Sequence, residues 1–377
     1  MKILIVMGGF FPGKKYGGPP VSVDNFCSLL SNEDFYILTS DHDLGERTRY
    51  QGIKKGWNER GTCKVQYLED KEYNRFTFEK VITEIKPDVL YLQGLFQSCV
   101  LPCLYLAKKY NMRVLLAPRG ELCNGAINIR KWKKVPYIGI MHLLGLLKDV
   151  HFQSTSEEET NAIRHWLKAR DNYIHFLPNI PTISNKTFSR LQKNAGEARF
   201  IFLSRIHPKK NLLSAIKYFN RIQGKVRFDI YGPIEDELYW KLCQEEIVKL
   251  PKNIQVKYEG IVEHEEVHEI LSRYDAFLFP TLSENYGHVI AESLFVGTPV
   301  ITSDQTPWLD LALHNAGWAI ALTNQEQFIR NIQRIVDNTD KEQTDMRKKA
   351  KQYFIDKLKI EKIKNRYEHV LEYVVRR

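Results

Sequence analysis

Two glutamates, Glu284 and Glu292, stand eight positions apart in the stretch ENYGHVIAE, with Tyr286, Gly287 and His288 between them. Carboxylates accept hydrogen bonds from hydroxyls and pair with cations, so a spaced pair can grip two parts of one polar ligand. On one straight helix, eight residues turn about 800° and leave the side chains roughly 80° apart, sharing a face only loosely. The flanking residues point elsewhere. AFLFPT (276–281) is an apolar run of strand type, LSENYG is the loop after it, and HVIAESLFVG is a helix ended by Gly297 with Pro299 beyond. Glu284 then sits in a loop at a strand's carboxyl end, and Glu292 about one turn into the next helix. The amides of Tyr286, Gly287 and His288 fall at the helix start, where the macrodipole favours an anion.

Other residues suit the same anionic ligand. SRIHPKKN places Arg205 and Lys210 after the apolar run FIFL (200–203) and ahead of a helix. Arginine can grip a diphosphate in fork geometry and lysine serves as a point charge, although alone the motif reads equally as a solvated basic turn. In the first half, YGGPPVSVDNF puts Gly17 and Gly18 at a helix start, where glycine lets backbone amides approach a ligand closely. APRGEL (117–122) sets Arg119 and Glu121 after another strand-like run.

Three patterns point to different chemistry and fit less well. GGFFPGK, Gly8 to Lys14, has the spacing of a phosphate-binding loop, but Lys15 stands where such a loop needs Ser or Thr for Mg²⁺. HEEVH, His264 to His268, matches a zinc-peptidase signature, yet Val267, Ile270, Leu271 and Tyr274 make an ordinary helix stripe there. DHD (41–43) has the form of a metal-binding D-x-D, in a pattern too short to carry weight.

These residues need strands and helices to position them. Apolar runs at KILIVMG, DFYILTS, VQYLE, DVLYLQG, RVLLAPRG, HFQSTS and IHFLPN read as strands, separated by helix-period segments. The pattern restarts after residue 198 with RFIFLSR, VRFDIYG, IQVKYEG, AFLFPT, PVITSD and GWAIAL. Strands apolar throughout are buried on both faces, so the expected fold class is α/β: parallel, doubly wound sheets of Rossmann type, apparent twice. The expected organisation is a first domain over 1–180, a linker over the polar stretch 181–198, a second domain over 199–355 and a terminal amphipathic helix over 356–377.

With 377 residues, 43% apolar and 27% charged, the composition is that of a globular chain of about two domains. The net charge of +10 suggests an anionic partner without choosing one. Six scattered cysteines without a CxxC pair suit reduced thiols of a cytoplasmic protein. The N-terminal MKILIVMGGFF reads as a first buried strand rather than a cleaved signal, and the longest apolar stretch, VPYIGIMHLLGLL, is 13 residues, short of a membrane span.

With R-x4-K in RIHPKK, E-x7-E in ENYGHVIAE and G-x-P-V-I at 297–301, joined by the Gly-Gly loop and APRGEL, the chain resembles the retaining glycosyltransferases of family 4. The resemblance spans most of the chain in family order and implies the GT-B fold, two Rossmann-like domains facing a cleft that closes on its ligands. It implies a UDP- or GDP-sugar donor and a glycan or lipid-linked glycan acceptor, in bacterial capsule, O-antigen or exopolysaccharide synthesis. Arg205 and Lys210 would hold the diphosphate, backed by Gly17 and Gly18. Glu292 would accept from the ribose hydroxyls, and Glu284 would grip the donor sugar. Tyr286, Gly287 and His288 would complete the sugar–phosphate seat. Arg119 stands where many relatives carry a histidine near the sugar. Neither a metal nor a cofactor is expected, and nucleic acid is not an expected partner. The basic and aromatic start of NIRKWKKVPYIGIMHLLGLLK (128–148) adds an anionic membrane surface as an expected partner, with peripheral attachment at its inner face. The competing readings are a non-catalytic nucleotide-sugar or polysaccharide-binding protein and a zinc metallopeptidase.

Overall fold

The computed structural model describes residues 1–184 and 186–376. They form two compact units: Met1–Ile180 with the last helix, and Pro181–Lys359.

The apolar runs of the first unit become an eight-stranded sheet. Its strands are β1 (Lys2–Val6), β2 (Asp34–Ser40), β3 (Trp57–Arg60), β4 (Cys63–Leu68), β5 (Val89–Gln93), β6 (Arg113–Ala117), β7 (Val150–Ser154) and β8 (Ile174–Phe176). The order is β3-β4-β2-β1-β5-β6-β7-β8, and every pair is parallel except β3 with β4. The antiparallel edge strand β3 escapes the sequence reading because WNER has no apolar run to betray it. Helices α1 (Gly18–Leu29), α2 (Arg75–Ile85), α3 (Val100–Tyr110), α4 (Asn124–Ile127), α5 (Lys131–Leu143) and α6 (Glu157–Leu167) connect the strands. Local chemistry sets their starts: the Asn74 side chain accepts from the amides of Phe76 and Thr77, and Ser156 from that of Glu159, with three glutamates in the first turn of α6.

The second unit repeats the plan with six parallel strands: β9 (Glu197–Leu203), β10 (Lys225–Tyr231), β11 (Ile254–Gly260), β12 (Ala276–Phe279), β13 (Val300–Ser303) and β14 (Gly317–Ile320), in the order β11-β10-β9-β12-β13-β14. Its helices are α7 (Leu212–Tyr218), α8 (Glu237–Ile247), α9 (Val267–Ser272), α10 (His288–Phe295), α11 (Gln325–Asp337) and α12 (Asp340–Leu358). Residues 181–198, read by composition as a linker, belong to this unit instead. Lys193 explains why: its buried ammonium donates to the carbonyls of Val336 and Asn338 at the end of α11, and Arg190 pairs with Asp340.

A left-handed residue, Lys359, ends α12 and starts the final helix α13 (Ile360–Arg376), four residues later than expected for the terminal element. It lays Ile363, Tyr367, Val370, Leu371 and Val374 on the first unit, each worth about 2 kcal/mol when buried. The Tyr367 hydroxyl accepts from Gln153 Nε2 at 2.8 Å and donates to the Pro178 carbonyl at 2.9 Å. Among the described residues no helix is long and apolar enough to cross a membrane.

Candidate functional site

Each sheet reverses its winding direction between two neighbouring strands, and ligands of such sheets bind outside the carboxyl ends at that point. In the second unit the reversal falls between β9 and β12, whose register pairs Ala276 with Phe200 and Phe277 with Ile201. The loops leaving these strands carry Arg205, Lys210 and Glu284, so adjacent strand ends place residues far apart in sequence side by side.

Arg205 depends on a glycine. Gly232, after β10, has φ 129°, and a Cβ there would fall 2.0 Å from the Ser204 carbonyl oxygen. Without a side chain the two loops close, Ile206 donating to the Pro233 carbonyl at 2.8 Å. Arg205 then meets Glu235, Nη1 donating to both carboxylate oxygens at 2.9 and 2.8 Å. An anion therefore already sits on the guanidinium proposed for a diphosphate. Glu235 was missed by sequence reasoning; the glycine-proline turn YGPIEDE after a strand was its only signal.

Lys210 ends a 3-10 turn, Pro208–Lys210, and pairs with Glu284. Both are largely buried, and Glu284 Oε1 also accepts from Thr281 Oγ1 at 3.2 Å. Burial lowers the Lys210 pKa, and the Glu284 carboxylate pulls it back up. The two loops are stitched together by Leu282 N donating to the Lys209 carbonyl and Asn211 Nδ2 to that of Pro280, each at 2.9 Å. A basic and an acidic residue read separately are thus one hydrogen-bonded pair.

The two glutamates of the opening motif lie on different elements, Glu284 in the loop after β12 and Glu292 one turn into α10. Gly287 precedes α10 at φ 77°, and no side chain caps the helix. Its first internal bond runs from Ile290 N to the Gly287 carbonyl, so the amides of His288 and Val289 precede the hydrogen-bonded ladder. The Tyr286 carbonyl accepts from Trp308 Nε1 at 2.6 Å, and its ring lies edge-on to His288. The Tyr286 hydroxyl is buried without a partner among the described residues. Glu292 is 3% exposed and accepts from Thr182 Oγ1 at 3.1 Å. Burial raises its pKa above the carboxylate norm, against the opposing pull of His264 and Thr182. A carboxylate kept this dry, with one donor among the described residues, has acceptor capacity to spare.

In the first unit the reversal falls between β1 and β5, and a cavity of about 190 Å³ opens there, lined by Gly8, Tyr16, Pro19, Gln93, Arg119 and Glu121 among others. Gly17 has φ 72° and starts α1 without a side-chain cap. The first turn, however, contains Pro19 and Pro20, which bring no N–H, so the Gly17–Gly18 turn offers fewer amides than its glycines suggest. Arg119 is engaged by its own unit, Nε donating to Gln93 Oε1 at 2.7 Å and Nη1 to Asn179 Oδ1 at 2.8 Å. Glu121 accepts from the amides of Leu95 and Phe96, and burial raises its pKa.

The weaker motifs find structural explanations. The amides of Lys14 and Lys15 are spent on the Asp43 carboxylate at 2.8 and 3.0 Å rather than turned toward a phosphate. His268 is buried against the rings of Phe188 and Phe295, which pushes its pKa down to about 4. No group of three His, Cys, Asp or Glu side chains among the described residues could hold a metal ion.

Known proteins give this geometry a context. Residues 184–353 match the family model described as glycosyl transferases group 1. The GtfA subunit of a UDP-N-acetylglucosamine–peptide N-acetylglucosaminyltransferase from Streptococcus agalactiae is 28% identical over 160 residues, 41% of this chain and 30% of that relative. The chain thus spans about 30% of that relative's length. HepE of Anabaena, solved with UDP and glucose, superposes with a TM-score of 0.74 at 13% identity, covering 99% of this chain and 100% of that one. Sucrose-phosphate synthase of Thermosynechococcus elongatus gives 0.71 at 14%, covering 99% and 98%. WaaG, a glycosyltransferase of lipopolysaccharide biosynthesis, gives 0.67 at 12%, covering 98% and 99%. At such identities the structural likeness speaks for the fold alone. The chain has the GT-B glycosyltransferase fold, and most of its second unit matches the glycosyl transferases group 1 model.

Proposed function

We propose that this chain is a retaining glycosyltransferase of family 4 that moves a sugar from a nucleotide-sugar, a UDP-sugar before a GDP-sugar, to a glycan or lipid-linked glycan. The observation that carries the reading is the group gathered at the β9 and β12 ends within the matched domain: Arg205, Lys210 paired with Glu284, the uncapped start of α10, and dry Glu292. HepE was solved with UDP, and the GtfA relative is named for a UDP-sugar, which favours uridine as the base.

In this mechanism Arg205 and Lys210 hold the diphosphate and Glu292 accepts from the ribose hydroxyls. Glu284, neutralised by Lys210, orients the donor sugar beside the seat made by Tyr286, Gly287 and His288. The bond from the anomeric carbon to the diphosphate oxygen breaks, and its electron pair stays on the departing phosphate. The two cations and the α10 amides stabilise the charge that builds there, the electrostatic contribution expected to dominate. They supply the positive charge a divalent ion would otherwise bring, so the proposed reaction is metal-independent. The acceptor oxygen attacks the anomeric carbon on the same face and passes its proton to the leaving phosphate. This keeps the configuration without a carboxylate nucleophile, for which Glu284 is already committed to Lys210. Gly17 and Gly18 are proposed as further donor contacts. Arg119, held by Gln93 and Asn179 and lining the cavity of the first unit, is proposed as a donor contact beside them.

The acceptor reading extends to a surface polysaccharide built in the cytoplasm on a lipid carrier, with the chain peripheral at the inner face of the membrane. Calorimetric titration of the full chain with UDP, GDP and UDP-glucose tests the donor reading: UDP should bind, and Arg205→Ala should lower turnover more than affinity, since its contact strengthens as charge develops. An absence of heat with every nucleotide refutes it, and UDP binding without transfer marks a non-catalytic binder.

A further inference from the structure

The outward face of α5 is apolar. Ile138 and Met141 turn inward to the core of the first unit. At 100° per residue the opposite side carries Trp132, Val135, Pro136, Gly139, Ile140 and Leu143. Trp132 is 74% and Leu143 86% exposed. A surface helix ordinarily turns polar residues to water, so this arrangement is inverted. Exposed Ile129 and Leu144 continue the apolar strip at either end. Lys131 and Lys133 flank it about 100° to each side of Trp132, and Lys133 Nζ lies 4.8 Å over the Trp132 ring. From Leu122 to Lys148 the chain has no Asp or Glu, while Arg130, Lys131, Lys133, Lys134 and Lys148 fall within that span. The platform is fixed from behind by Lys108 Nζ, which donates to the Leu144 carbonyl at 2.9 Å just past the helix.

We propose that this face lies in the interface of an anionic lipid bilayer, with the axis of α5 in the membrane plane. A narrow apolar strip bordered by lysines, with a tryptophan at headgroup depth, is the composition of an interfacial helix. The lysine stems cover apolar surface while their ammonium groups reach the phosphates. Thirteen residues of helix extend about 20 Å, too short to span. A second copy is the poorer occupant, because a twofold contact would bring the same cationic span, without an Asp or Glu between 122 and 148, to both sides of the interface. A protein interface of the usual kind is depleted in lysine at its core, whereas an anionic leaflet answers every cation at once. The proposal deepens the reading of a lipid-linked acceptor and rests on it only for why the enzyme would sit there.

Co-sedimentation of the full chain with vesicles of phosphatidylcholine alone, and of phosphatidylcholine mixed with phosphatidylglycerol, tests this, alongside UDP titration of the same preparations. Binding is expected to the mixed vesicles and to fall with salt. Substituting Lys131→Ala and Lys133→Ala should weaken it about fivefold for each cation removed. Trp132→Ser with Leu143→Ser should abolish it and leave UDP titration unchanged. Equal binding to both vesicle types, or full binding by the Trp132→Ser/Leu143→Ser variant, overturns the proposal. A dimer broken by Leu143→Ser in a chain that ignores vesicles assigns the face to a second copy and also overturns it. Vesicle binding without UDP binding sinks the transferase reading and leaves this one standing; UDP binding without vesicle binding does the reverse.

Discussion

Glu235 competes with any ligand of Arg205, so removing it should tighten nucleotide binding. In the free protein the Arg205 guanidinium holds both Glu235 oxygens at 2.9 and 2.8 Å, and a diphosphate on that guanidinium must displace them. The side chains are 33% and 40% exposed, so water and salt screen the pair and its worth is about 0.2–1 kcal/mol. Glu235→Gln should therefore improve UDP affinity by a factor of about 1.5 to 5. Global stability should change by less than about 1 kcal/mol. Calorimetric titration of wild type, Glu235→Gln, Arg205→Ala and the double variant closes a cycle that isolates the coupling. In the Arg205→Ala background, the Glu235 substitution should have little effect. The gain should shrink in high salt as the competing pair is screened. Weaker UDP binding in Glu235→Gln would refute the reasoning, since the glutamate would then orient the arginine rather than occupy it. An equal gain with and without Arg205 would also refute it, because the effect would be general charge and not competition.

Glu292→Gln should weaken UDP binding by about 1.5–3 kcal/mol, the worth of a hydrogen bond to a charged group, and raise the melting temperature at neutral pH. The sign follows from burial: a pKa above its ordinary 4.5 means the folded state favours the proton, so wild-type stability declines as pH rises from 4.5 through the raised value, and glutamine escapes that loss. His268 runs the other way. With its pKa at about 4, stability is present above the ordinary 6.5 and lost as pH falls toward 4, by up to about 1.4 kcal/mol per pH unit, so denaturant titrations of His268→Gln should show a flatter acid limb. Gly232→Ala should leave little folded protein by circular dichroism, because its Cβ would lie 2.0 Å from a backbone oxygen that cannot move aside. Tyr367→Phe should cost about 1–3 kcal/mol in urea unfolding, since the buried Gln153 amide loses its acceptor and the half-buried Pro178 carbonyl its donor.

Much of this was legible in the residues because it is local. Parallel strands buried on both faces announce themselves as unbroken apolar runs, and every run singled out entered a sheet. The helix starting at His288 can be placed from Gly287 and the preceding strand, which puts Glu284 and Glu292 on different elements by sequence alone. What failed was also local in its cause. The edge strand Trp57–Arg60 is too short and polar to show a period, and the stretch 181–198 is as polar as a linker although Lys193 is buried within it.

Partner choice lay beyond the sequence. Which carboxylate sits on Arg205, which cation neutralises Glu284, and which hydroxyl touches Glu292 depend on residues 30, 74 and 110 positions away. Composition and periodicity decide strand, helix and the face that turns inward, since these follow from backbone geometry and water. Hydrogen-bonded pairing is decided only when parallel strands bring their carboxyl ends together, and an approach of the Ser204 carbonyl so close that a Cβ on Gly232 would fall 2.0 Å from it has no signature until the chain has closed on itself.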